Sequence, residues 1–378
     1  MKAMTWQIIL IFLAAAAGCS RQATGPKAEA VPAAPDSDAV PAPPPAKAAA
    51  APAKTHTVPA APQPKAAPAA APAETGSVAP PAGAAPAAPQ TNPILLDLIG
   101  KGVAMPDGSF VKLPPPVLPD GLDADAQAEA LTKILPPRVS LEQFTQKSSS
   151  APHALKIRTV RGKGEDATFR TIDLGFVAHG RWETLNSEKF GDNFLKAKEK
   201  ERDEANQKRT VSKSGFLTKE EMAQRGLSVT APSGMEQRFF YTTFTLFDEV
   251  EVSATRDAIL TKSPKSAILA ARLDPRFLDD AEYPNQWRSI GRDAAANPVL
   301  GPKQPYAGAG FYVKITQLEQ PADAIFIEYH GAFHEPLGWF QGEAKLRARL
   351  PLVAEHEVKQ FRIKLGKASA EEEKTAEK

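Results

Sequence analysis

The chain has a single cysteine in 378 residues, Cys19, and it lies in the N-terminal stretch. An internal disulfide framework is therefore excluded, and so is a cysteine nucleophile in any later domain. Aromatic residues are also scarce. None occurs between Phe12 and Phe110, so the first hundred or so residues have nothing from which to build a core. The longest apolar run, from Ile8, gives out at Cys19, short of the ~20 residues that a membrane-spanning helix needs. A charge excess is missing as well: six basic and four acidic residues, of totals 46 and 44, precede Pro93. The remainder is balanced at 40 of each, which removes the electrostatic case for nucleic acid. No glycine-rich phosphate loop or Gly-x-Ser-x-Gly elbow is present, because "GKGED" and "AGAGF" supply only two glycines each.

What is present begins with a leader. Lys2 provides a positive start, Ile8 to Ala14 an apolar centre, and Ala15-Ala16-Ala17-Gly18 a small-residue end, the three-part form of an export signal. Ala15-Ala16-Ala17 alone would suit ordinary signal peptidase. That cleavage would leave an exposed, partnerless thiol in an oxidising compartment. Ala16-Ala17-Gly18-Cys19 resembles instead the lipobox of bacterial lipoprotein precursors, with Ala16 where that family most often has Leu. The resemblance covers only about the first 20 residues. It implies cleavage before Cys19, acylation of Cys19, and anchoring to a lipid bilayer through two or three chains, each buried methylene contributing ~0.8 kcal/mol. In a host with two membranes, Ser20 after the cysteine implies the periplasmic face of the outer membrane.

Residues 19–92 follow as a tether. Segments such as "PAPPPAKAAAAPAK" hold about half of the 36 prolines. Ala favours helix, but the prolines block helix interiors and push their neighbours toward extended backbone. The expected result is a semi-rigid, disordered spacer whose contour approaches ~200 Å at ~3.1 Å per residue.

The globular part is predicted to be α+β. Residues 93–150 read as a helical lead-in: Asn92-Pro93 opens "ILLDLIGKG" with Gly102 as its stop, Asp123 opens "ADAQAEALTKIL", and Ser140 with Gln143 forms a capping box. "MPDGSFVKLPPPVLPDG" is extended and turn-rich. From residue 151 to 366 the period becomes two, in "HALKIRTVRG", "TFRTIDLGFVAHG", "QRFFYTTFTLFDEVEVSATRDAILT", "AGFYVKITQLEQ" and "DAIFIEYHGAFHE". Short turns between these strands predict a mostly antiparallel sheet. Glu188 to Gly215 reads as a solvated helix and loop, and Thr218 with Glu221 caps another short helix. Leu346, Leu350, Ala354, Val358, Phe361 and Leu365 form one stripe of a C-terminal helix packed on the sheet, broken into two pieces at Pro351. Residues 367–378 read as a polar tail without core residues.

Three constellations bear on chemistry. His330, His334 and Glu335 have the ligand types that suit zinc or another transition metal. On a straight strand, however, positions 330 and 334 lie about 13 Å apart, so convergence requires a bend or bulge near Gly331. Asp274, Asp279, Asp280 and Glu282 lack the order of a calcium loop and read as a solvated acidic turn. Phe239, Phe240, Tyr241, Phe244 and Phe247 read as a strand covered on both faces. Trp182, Trp287 and Trp339 stand apart as core or interface anchors.

The sequence thus favours an exported, membrane-anchored lipoprotein whose domain is non-enzymatic, needs no cofactor, and binds or helps assemble a protein of the cell envelope. Two alternatives stand beside it. One is a metal-dependent hydrolase built on His330, His334 and Glu335; the other is a small-ligand binder with an aromatic-lined cavity between sheet and C-terminal helix.

Overall fold

The structure is a computed structural model that describes residues 92–162, 168–185, 187, 190, 214–247, 249–337, 339–340 and 344–376. The leader, Cys19, the tether up to residue 91 and nearly all of the mixed-charge segment 188–215 lie outside the described residues.

The lead-in opens with α1 (Pro93–Gly100), whose N-cap Asn92 accepts from Leu95 N while its side-chain amide donates to Ile259 O at 2.7 Å. One residue thus both starts the helix and fastens it to the sheet. Gly102, at φ +106°, stops it and turns the chain back; a Cβ there would lie 2.8 Å from the Val111 carbonyl carbon. The small hairpin β1 (Val103–Ala104) and β2 (Phe110–Val111) follows. Then come α2 (Ala124–Thr132), capped by Asp123, and α3 (Leu141–Thr145), whose Ser140 and Gln143 form the reciprocal capping box.

The main sheet is made of β3 (Ala154–Arg161), β4 (Thr168–His179), β5 (Ser214–Phe216), β6 (Glu236–Leu246), β7 (Val250–Ser263), β8 (Ser266–Leu273), β9 (Gln286–Arg292), β10 (Pro298–Leu300), β11 (Gln304–Pro305), β12 (Ala309–Gln317) and β13 (Ala324–Glu335). Its spatial order is β5-β6-β7-β8-β12-β13-β4-β3. The second half of β7 pairs with β8 and its first half with β9, which β10 and β11 flank. Every pairing among the described residues is antiparallel. Short elements α4 (Trp182–Leu185) and α5 (Lys219–Gln224) interrupt the strands, α5 carrying the Thr218–Glu221 capping box.

Both faces of the sheet are covered. On one, the lead-in buries Ile94, Leu95, Leu98, Val103 and Met105 against Phe169, Ile259, Ala270 and Tyr312, and Leu118, Leu131 and Phe144 against Val177 and Phe326. On the other lies α6 (Ala344–Ala376), which buries Leu346, Leu350, Val353, Val358, Phe361 and Leu365 against Phe176, Val313, Ile325 and Ile327. The molecule is the expected α+β fold of helical lead-in, mostly antiparallel sheet and C-terminal helix packed on the sheet; the structure adds that the lead-in covers the opposite face.

Two details of α6 differ from the sequence reading. Pro351 does not break it. A proline in a helix interior loses its own N–H bond and crowds the carbonyl four residues before it, but buried Leu346, Leu350 and Val353 on both sides hold the helix against the sheet. Nor do residues 367–376 form a tail: Ala368 packs on the core, Ser369 Oγ accepts from Arg181 N, and the Thr184 hydroxyl donates to Glu372. Arg362, 6% exposed, donates to the carbonyls of Val177, Ala151 and Pro152. It ties the helix to β4 and to the segment leading into β3, and burial lowers its pKa to about 10.

Candidate functional site

The predicted metal set does not come together. β13 pairs with β4 and β12 without a bulge, from Ala324 opposite His179 to Glu335 opposite Thr168. His330 and His334 therefore keep the separation of an unbent strand, about 13 Å, and Glu335 points to the opposite face. Each has its own partners. Glu335 pairs with Arg170, a fully buried guanidinium that also donates to the Thr159 hydroxyl. The His334 ring lies against Phe169 at 5.8 Å, and burial lowers its pKa. Among the described residues no group of His, Cys, Asp or Glu is arranged to hold a metal ion.

His330 belongs to a different assembly. It sits opposite Asp173 on β4 and Tyr312 on β12. Its Nδ1 lies 2.8 Å from Asp173 Oδ1 and its Nε2 3.1 Å from Glu328 Oε2, and the Tyr312 ring lies 4.9 Å away. Burial alone would depress the imidazole pKa, but the two carboxylates outweigh it and raise the value to about 9. Lys314, 2% exposed, stands opposite Glu328 and donates to Asp120 Oδ1 at 2.6 Å; Ser263 and Ser266 complete that carboxylate.

The stretch these groups hold is the proline-rich segment "LPPPVLPD", residues 113–120. Prolines have no N–H to donate, so the segment cannot join the sheet as a strand, and side chains bind it instead. Glu328 Oε2 accepts from Val117 N at 2.8 Å, and Tyr312 Oη donates to Pro114 O at 2.8 Å. The cluster is a fastening between lead-in and sheet. In the acidic turn Asp279 and Glu282 are exposed, as expected of a solvated turn, whereas Asp274 is buried, caps the 3-10 turn Pro275–Phe277 and pairs with Arg276, and Asp280 and Glu282 pair with Arg225.

An open surface site lies elsewhere, at the β9–β11 end of the sheet. A groove of about 360 Å³ is lined by Trp287, Ser289, Pro302, Gln304, Pro305 and Leu337. Leu337 is 73% exposed. It is held out by a turn in which Trp339 N donates to Pro336 O, while Trp339 itself turns in and is 3% exposed. Trp339 lies 6.1 Å from Trp287 and stacks on Tyr306 at 5.4 Å and Phe333 at 6.3 Å. The exposed edge of the groove thus rests on a rigid aromatic cluster. Gly301 donates to Ser289 O at 2.8 Å and has no room for a Cβ against the Ser289 side chain. Val299 and Leu300 on adjoining β10 are exposed too.

Of the tryptophans singled out from sequence, Trp287 and Trp339 meet here, whereas Trp182 packs beside the main core. Leu337, Pro302 and Pro305 were not singled out. The signal was a Leu between Pro336 and Gly338, an apolar residue in a turn, which composition alone does not distinguish from a buried one.

Compared with protein-family models and with curated proteins, the chain matches none of them.

Proposed function

We propose that this protein is a lipid-anchored, extracytoplasmic binding module that holds an extended apolar segment of another envelope protein in the Trp287–Leu337 groove. The leader and the lipobox-like Ala16-Ala17-Gly18-Cys19 support export and anchoring through Cys19. The Ala/Pro-rich residues 19–92 then give the domain reach from the bilayer.

The groove is the observation that carries the binding role. Leu337, 73% exposed, shares the groove with Trp287, Pro302 and Pro305, and Val299 and Leu300 on adjoining β10 are exposed as well, which together make an apolar patch rather than a single exposed side chain. A space of about 360 Å³ takes one or two side chains of a peptide rather than a folded surface. The stiff, aromatic-backed and proline-lined wall suits an extended or polyproline-like segment, whose backbone has little entropy left to lose on docking.

Purification of the full chain from its native envelope after mild crosslinking, beside a Leu337→Asp variant, tests this reading. The expected result is one dominant, near-stoichiometric protein with the native chain, reduced at least tenfold in the variant while its melting temperature is unchanged. Recovery of no partner, or equal recovery with both chains, would remove the reading.

A further inference from the structure

The sheet ends on β3, and that edge is open among the described residues. β3 pairs on one side with β4, from Ala154 opposite Gly175 to Arg161 opposite Thr168, in an unbroken register without a bulge. On the other side alternate N–H and C=O groups point away from the sheet. Outside the strand ladders, no backbone bond among the described residues involves residues 154–161. The side-chain fastening by Arg362 stops at the carbonyls of Ala151 and Pro152, just before the strand. The other terminal strands are short: β5 and β10 have three residues each, against eight in β3. A long row of unpaired main-chain groups is a template for a further strand, and the side chains along it decide which strand fits.

Those side chains carry charge of one sign. β3 has three cations, Lys156, Arg158 and Arg161, and no acidic residue. Lys156, Arg158 and Val160 share one face and are exposed, while Leu155 and Ile157, on the α6 face, pack in part on the main core. Arg158 donates from Nε to Thr171 and from Nη2 to Asp173 of β4. Lys156 and Arg161 pair with no carboxylate among the described residues.

This pattern disfavours a second copy of β3 as the added strand. A two-fold pairing of the whole strand that keeps both chains' side chains on matching faces centres on Ile157 or on Arg158. The first sets Lys156 opposite Arg158 and the second sets Arg158 opposite itself, and like charges directly opposite are destabilising.

We infer that β3 is a docking edge for an extended acidic segment of another protein, which adds to the sheet as a strand. Acidic residues stand opposite Lys156 and Arg158 and aliphatic residues opposite Leu155 and Ile157, so the partner segment alternates the two types. Main-chain hydrogen bonds hold it, and the charges select it. β3 and the β9–β10 strands beside the Trp287–Leu337 groove lie at opposite ends of the strand order, and the inference does not rest on that groove's role.

The test uses the full-length chain carrying Cys19→Ala and an end-blocked peptide of alternating Glu and Val with the length of β3, eight residues. Two peptides of equal length serve as comparisons: alternating Lys and Val, which reverses the charge, and alternating Glu and Pro, which keeps the charge but disfavours a regular strand. Binding is read by titration calorimetry and by amide hydrogen exchange. The Glu/Val peptide is expected to bind and to slow exchange of alternate amides of β3, with both comparison peptides at least about tenfold weaker. Lys156→Glu is expected to weaken the Glu/Val peptide about tenfold and to strengthen the Lys/Val peptide, at an unchanged melting temperature. Leu337→Asp is expected to bind the Glu/Val peptide as the native chain does. Should Lys156→Glu fail to fold, Lys156→Gln carries the comparison with a several-fold loss. Absence of binding, equal binding of either comparison peptide, affinity unchanged by substitution of Lys156, loss of binding in Leu337→Asp, or a β3 edge already protected by self-association of the chain would overturn the inference.

Discussion

His330 faces Asp173 across the β13–β4 pair, Nδ1 to Oδ1 at 2.8 Å, in a layer closed off by the proline-rich segment 113–120. The pair makes stability depend on pH in a defined window. Around the imidazole stand Asp173 and Glu328, with Arg158 on the far side of Asp173, Lys314 opposite Glu328, and Tyr312 over the ring. The folded pKa is raised from 6.5 to about 9, so the protonated ring favours the folded state. Its stabilisation is complete below about pH 6.5 and is lost progressively as pH rises through about 9, up to about 3 kcal/mol in all. His153, His179 and His334 are lowered by burial and act below pH 6.5, outside this window. Chemical denaturation from pH 6 to 9 is expected to show this fall in the native chain and a nearly flat profile in His330→Gln, because the raised phenols of Tyr306, Tyr312 and Tyr329 affect stability only as pH approaches 10. Parallel profiles would show that His330 is not the group responsible.

Lys314 gives a second prediction. It is 2% exposed and its partner Asp120 sits on the covering segment, where burial would raise the carboxyl but Lys314, Ser266 and Ser263 together outweigh it and keep it below its ordinary range. Asp120→Asn leaves the ammonium without a charge partner and is expected to cost about 1–3 kcal/mol. Adding Lys314→Met removes the stranded charge. The double variant is expected to regain most of the loss in urea denaturation, whereas additive losses would mean the two residues are not coupled.

Gly180 gives a third. It follows β4 under α6; a Cβ there would lie 2.5 Å from Leu365 Cγ and 2.8 Å from Ser369 Oγ. Gly180→Ala is expected to destabilise the fold by about 1–3 kcal/mol through overpacking, and Leu365→Ala in the same chain is expected to recover part of it. A thermal melt unchanged by Gly180→Ala would place α6 further from the sheet.

Local signals were legible where the physics is local. Asn92, Ser140 and Thr218 cap the helices that their sequence context predicts, because a cap is decided by three or four neighbouring residues. The stripe of α6 and the alternating strands in the same way indicated an antiparallel sheet with the C-terminal helix on one face, but not that the lead-in covers the other. Buried charge was not legible. Glu328, Lys314 and Asp173 occupy strand positions that alternation assigns to solvent, and only the cover on both faces of the sheet turns them inward. Trp287 and Trp339 are distant in sequence, and the β9–β7 register together with the turn after β13 brings them together. The His330, His334 and Glu335 pattern had suitable ligand chemistry, but an unbent strand disperses it.

A fourth prediction concerns the anchor. Replacement of Cys19 by Ala is expected to abolish metabolic incorporation of labelled fatty acid and to release the chain from the membrane fraction, since no other cysteine can take its place. Fatty-acid labelling followed by fractionation checks it; undiminished labelling would rule out acylation at Cys19.

The most direct test of the tethered binding module is photocrosslinking from position 337 in the intact envelope, with the full chain bearing a photoreactive residue in place of Leu337. One discrete protein adduct is predicted, weakened when Cys19→Ala frees the domain from the membrane and absent when the reactive residue is moved to exposed Leu352 on α6. No adduct from position 337, or the same adducts from both positions, would contradict it.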